Sequence, residues 1–208
     1  MRKESFASGE FYHIYNRGVD KRNVFLSKED YDRFLQSMEE FNAIEPIGSI
    51  YENSFVKDQL GSRTSKKRFL VKFVAYCINP NHYHFLLQQV AEKGIQKFMQ
   101  RLGTGYTNYF NNKHRRNGVL FQGKFKGIHI ASNEYLLHLS AYINLNNRVH
   151  KLGSPASKSS WEEYIKKKEG ICEKSVVLDQ FDSSSEYKNF AEDALESIVA
   201  RKQLYKEL

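Results

Sequence analysis

Along the chain, short β-type runs of apolar residues alternate with longer stretches whose apolar positions recur every three to four residues. Glu10 to Arg17 reads as a strand, ended by Gly18. Ser27, with Asp30 three residues on, opens a helix in capping-box style, and Tyr31, Phe34, Leu35, Met38 and Phe41 follow helical spacing. Phe69 to Ile78 predicts a second strand, stopped by the turn chemistry of Asn79-Pro80-Asn81. His82 to Val90 pairs back on it as a hairpin. A helix is expected from Lys93 to about Arg116, loosened at Gly103 and Gly105, and then a fourth strand over Val119 to Ile130. Ser132 or Asn133 caps a further helix to about Val149. Residues 46–67 lack a clear period and predict a long loop. Gly153 to Ser157 reads as a linker into a polar, helix-rich tail, dividing the chain into a domain over 1–152 and an appendage over 153–208.

The order strand, helix, strand, strand, helix, strand, helix implies an α+β fold: a ferredoxin-like βαββαβ antiparallel sheet with one added helix and a helical C-terminal tail. One sheet face carries helices and the other is free for a ligand. Residues i and i+2 of a strand share a face, so His82 and His84 converge while Tyr83, Phe85 and Leu87 face the core. Two neutral imidazoles on one face begin a divalent metal site. In the last helix of the core, Tyr142 and Asn146 stack four residues apart, presenting a phenol and an amide oxygen together. Tyr135, Leu139, Tyr142 and Asn146 also form a stripe at core spacing, for which packing alone is a sufficient account. Tyr135 and Tyr106 compete as nucleophiles, but four residues after them stand Leu139 and Phe110, which cannot bind metal. His13 either neighbours the site or is a hydrogen-bonded structural histidine. His129 and His138 show no pairing pattern.

Composition sharpens the picture mainly through charge. The net charge is +8, and from Lys93 to Asn133 there is no Asp or Glu. That stretch holds Lys93, Lys97, Arg101, Lys113, Arg115, Arg116, Lys124 and Lys126, interleaved with Phe98, Tyr106, Tyr109, Phe110, Phe121 and Phe125. Cations for phosphates and aromatics for stacking are what a nucleic-acid groove needs. The bland account is a basic helix with core aromatics. Cys77 and Cys172 are the two cysteines, with no Cys-x-x-Cys, which argues against a disulfide framework or thiolate zinc. No basic-then-apolar leader and no apolar run of bilayer length is visible, so the expected location is the cytoplasm, with no membrane partner.

Taken in order, several segments resemble the single-tyrosine HUH transposases, in particular the REP-associated tyrosine transposases. They are Tyr12 to Gly18, Asn79 to Leu87, Tyr109-Phe110-Asn111, Leu120 to Lys126, Glu134 to Leu137, Tyr142 to Asn146, and Ser159 to Tyr164. The resemblance covers nearly the whole chain, interrupted mainly at 46–67. It implies that His82, His84 and Asn146 bind Mg2+ or Mn2+. It also implies that Tyr142 attacks a phosphodiester of single-stranded DNA, leaving a 5′-phosphotyrosine for strand transfer. The implied partner is single-stranded or hairpin DNA, contacted by Lys97, Arg101, Lys113, Arg115, Arg116, Lys124 and Lys126, with the protein a monomer or homodimer. Two departures stand out: Tyr83 occupies the hydrophobic middle of the histidine block, and Asn147 replaces a usual Pro, which would let the helix run on past Asn146. The alternative class is a non-cleaving binder of structured DNA or RNA derived from such an enzyme.

Overall fold

The computed structural model describes residues 5–51, 68–152, 156–166 and 168–204. Most of the loop expected over 46–67 lies outside them. The strands are β1 (Phe11–Arg17), β2 (Val71–Asn79), β3 (His82–Gln89), β4 (Lys126–His129) and β5 (Lys158–Ser159). The helices are α1 (Lys28–Glu40), α2 (Gly94–Lys113), α3 (Asn133–Asn144), α4 (Asn146–Val149), α5 (Trp161–Ile165), α6 (Ser175–Leu178) and α7 (Ser184–Leu204). The strands form one antiparallel sheet in the order β4-β1-β3-β2-β5. Its first four strands have the ferredoxin-like arrangement expected from the element order.

The β2–β3 hairpin carries the histidine block, and its turn is fixed from outside. Pro80 O accepts from the Val24 and Phe25 N–H groups, and Gly18 N–H donates to Asn81 O. The turn's polar groups are thereby satisfied by the β1–α1 connection, which locks the start of β3 to the end of β1. Asp30 closes the expected capping box by accepting from the Ser27 N–H at 3.2 Å.

Two cores flank the sheet. Tyr12, Ile14, Tyr83, Phe85 and Leu87 pack with α1 and α2 on one face. The other face was expected to be free, and it is not. There Val74, Ala75, Cys77 and Leu86 meet Leu136, Leu139 and Ile143 of α3, and Tyr164, Val177, Tyr187 and Ala191 from the tail. Polar bonds stitch this layer together: Tyr164 Oη donates to Val74 O, Asn144 Nδ2 donates to Tyr187 Oη, and Ser160 Oγ donates to Asn144 Oδ1. The apolar tail residues are too sparse in sequence to announce a core of their own. They acquire one only by completing that of the sheet.

Three elements differ from expectation. The fourth strand is confined to Lys126–His129, because Gly118 and Gly123 adopt φ of 85° and 66° and turn the chain before it. The helix expected to reach Val149 breaks at Leu145 (φ −106°, ψ 13°), a residue buried in the second core, and resumes as α4. Helix α2 is continuous through both glycines. A Cβ on Gly105 would stand 2.5 Å from the Phe41 ring, whereas nothing lies within 4 Å of one on Gly103. Gly103→Ala is therefore expected to stabilise the fold by about 0.5–1 kcal/mol. Gly105→Ala is expected to cost about 1–3 kcal/mol. Urea unfolding midpoints measure both, and shifts of the same sign would contradict the assignment.

Candidate active site

His82 opens β3, and its tautomer follows from its neighbours. Its Nδ1 lies 2.6 Å from Asn81 Oδ1, while the Asn81 amide nitrogen is committed to Lys21 O at 2.9 Å. An amide oxygen only accepts, so the proton sits on Nδ1 and Nε2 presents a lone pair. That Nε2 lies 3.3 Å from Asn146 Oδ1, and Asn79 Nδ2 approaches both atoms, at 3.0 and 2.7 Å. Asn146 is wholly buried, and its amide nitrogen has no hydrogen-bond partner of ordinary length. Burying an amide so incompletely satisfied is costly unless a ligand uses it.

Two residues on, His84 Nδ1 stands 2.8 Å from His13 Nε2 of β1, so one ring donates to the other. The His82 and His84 ring centroids are 5.2 Å apart. Burial, followed by the nearby His13, His82, His150 and Arg17, holds His84 well below the ordinary imidazole range. Burial alone brings His13 down to about 4. Both rings are therefore neutral at pH 7 and offer lone pairs.

Tyr142, from α3, completes the group. Its ring stands edge-on to His84, with centroids 5.6 Å apart. Burial pushes its phenol up, while the nearby Asn146 amide and the charge of Arg17 draw it part of the way back. Although the helix breaks at Leu145, Asn146 Oδ1 still lies 3.3 Å from His82 Nε2. Tyr106, by contrast, is a core residue whose hydroxyl donates to Val24 O.

His82, His84 and Tyr142 line a cleft of about 420 Å³ together with Arg17, Lys126 and His150. Among the described residues no three His, Cys, Asp or Glu side chains converge to hold a metal. The third donor here is an amide. Two ligands about 2.1 Å from a six-coordinate Mg2+ stand about 3 Å apart in cis, close to the 3.3 Å between His82 Nε2 and Asn146 Oδ1. The donor set therefore fits a hard or borderline divalent cation.

The basic residues are dispersed. Lys126 enters the cleft, but α2 packs on the opposite face of the sheet. Arg101 donates to Ala43 O and Ile44 O, Lys113 to buried Asp30, and Arg116 to Asn111 Oδ1 and Val119 O. Lys97, Arg115 and Lys124 are exposed. The interleaved aromatics Phe98, Tyr106, Phe110 and Phe121 are core residues rather than stacking platforms. His129 pairs with Glu10, and His138 lies against Phe190. Arg17, Asn79, Asn81 and His150 are site residues that sequence patterning passed over. For Arg17 the signal was present, since His13, Tyr15 and Arg17 share the period of two that singled out the histidine pair.

Residues 50–146, which include the histidine pair, Tyr142 and Asn146, match the family described as Transposase IS200 like. The matched stretch is just under half of the chain, and over it the chain is similar to this family. Among the solved structures it resembles is a REP-associated tyrosine transposase bound to a REP hairpin, with a TM-score of 0.50 at 12% identity. The match covers 80% of this chain and 85% of that one, a likeness of fold. No curated protein matches the chain.

Proposed function

We propose that this protein nicks single-stranded DNA flanking a hairpin and rejoins it to another end, with Tyr142 as the nucleophile. The observation that carries this is that His82, His84 and Tyr142 line one cleft, with the buried Asn146 Oδ1 3.3 Å from His82 Nε2. The Tyr142 oxygen attacks phosphorus, the P–O3′ bond breaks, and the leaving oxygen takes a proton to become a free 3′-OH. The DNA is then held as a 5′-phosphotyrosine, and attack by a different 3′-OH reverses the step without external energy. Mg2+ or Mn2+ held by His82, His84 and Asn146 would polarise the scissile phosphate and offset charge in the transition state. The test is incubation with hairpin oligonucleotides bearing single-stranded flanks and Mn2+, read as a covalent protein–DNA adduct on a denaturing gel. Salt-dependent binding without any adduct would favour a non-cleaving nucleic-acid binder instead.

His13 serves this site at one remove. By accepting from His84 Nδ1–H, it leaves the His84 Nε2 lone pair free for the cation. His13→Ala is expected to weaken Mn2+ binding about 10- to 100-fold, by titration calorimetry, at unchanged secondary structure. Wild-type affinity in that variant would remove His13 from the site.

A further inference from the structure

The cleft beside Tyr142 holds a second kind of chemistry that the histidines and the nucleophile leave unused. Its lining includes Arg17 and Lys126 and contains no Asp or Glu. Both cations stand on the histidine face of the sheet. Arg17 pairs in register with His82 across β1 and β3, and Lys126 with Tyr15 across β1 and β4. Among the described residues neither side chain pairs with a carboxylate, and Arg17 makes no side-chain hydrogen bond, although other basic residues of the chain are so engaged. Lys126 Nζ lies 5.9 Å from the centre of the Tyr15 ring, and that ring stacks on His84 with centroids 5.6 Å apart. Permanent positive charge in a partly enclosed, acid-free cleft calls for an anion.

The geometry points to Arg17 as a catalytic residue that grips the scissile phosphate, with Lys126 holding the neighbouring phosphate of the same strand. This deepens, and rests on, the assignment of Tyr142 as the nucleophile. A guanidinium presents a planar fork of donors that matches two phosphate oxygens, whereas an ammonium supplies only a point charge. Arg17 is placed to act twice. It would bind the oxygens on which charge grows as the Tyr142–phosphorus bond forms, and its charge already favours the Tyr142 phenolate. Lys126, exposed at the cleft's edge, is placed to add affinity and steering rather than rate.

The test uses the full chain with Mn2+ and a pool of hairpin oligonucleotides with randomised single-stranded flanks. Arg17→Gln is expected to lower the adduct-forming rate at saturating DNA about 100-fold, with Mn2+ affinity and melting temperature unchanged. Arg17→Lys should recover part of that rate, because charge returns without the fork. Lys126→Gln should mainly raise the half-saturating DNA concentration and reduce the salt dependence of binding by about one charge. A saturating rate for Arg17→Gln within about threefold of wild type would overturn the proposal, since losing one donor to the reacting oxyanion costs far more. If the wild-type protein forms no adduct, the Tyr142 assignment fails separately. Binding of the same pool then decides: an unchanged salt dependence in Arg17→Gln removes the phosphate contact as well.

Discussion

Tyr142→Phe is expected to abolish the covalent protein–DNA adduct, with the rate falling at least about 10⁴-fold, because the phenol proposed to form the ester is removed. The substitution removes one oxygen and keeps the ring, which stands edge-on to His84 at 5.6 Å. Packing should therefore survive, and Mn2+ affinity with it, since the proposed donors are the imidazoles and Asn146 rather than the phenol. Tyr135→Phe is the matched control: it removes a phenol from the same helix, four residues before Leu139. Its adduct should form at close to the wild-type rate. Peptide mapping of the adduct should place the phosphoryl group on Tyr142. An adduct that persists in Tyr142→Phe would sink the assignment, and its mapped position would name the true nucleophile.

The same residues show what the sequence can and cannot disclose. His82 and His84 were legible because a strand's period of two puts them on one face whatever packs around them. Tyr142 and Asn146 were legible from spacing, although for a reason that holds only in part. Helix α3 stops at Asn144, and Asn146 reaches the site from the first residue of α4. The spacing survives because a single non-helical residue, Leu145, separates the two helices. Two cations of the basic stretch are engaged within the fold by remote partners. Lys113 meets Asp30 across 83 positions and Arg101 meets the Ala43 carbonyl across 58, so both look like free cations in a local window. The covered sheet face was illegible for the same reason. Tyr187 and Tyr164 sit in polar surroundings in the sequence, and their burial depends on α3 and β2. What periodicity cannot supply is the identity of an element's tertiary partner.

Removing either imidazole of the histidine pair should have the second-largest effect, and stability reveals it without any DNA. A cation that binds the folded chain alone stabilises it by about 2.7 kcal/mol at a concentration 100 times its dissociation constant. For a chain of this size that corresponds to a rise in melting temperature of roughly 5–10 °C. Wild-type protein is expected to show such a rise with Mn2+ and to lose it with EDTA. His82→Ala and His84→Ala should each show little or none. Comparing each variant with and without Mn2+ cancels the intrinsic cost of emptying a buried site, since both measurements share it. Adduct formation should fall about 10³-fold in each, because the scissile phosphate then lacks its polarising partner. Asn146→Asp is the informative companion. A carboxylate keeps an oxygen donor where the amide stands 3.3 Å from His82 Nε2, and it adds charge that a divalent cation favours. Its Mn2+-induced stabilisation should equal or exceed that of the wild type, whereas Asn146→Ala should lose most of it. Undiminished stabilisation in both histidine variants would place any bound cation elsewhere and leave His82 and His84 as packing residues of the sheet.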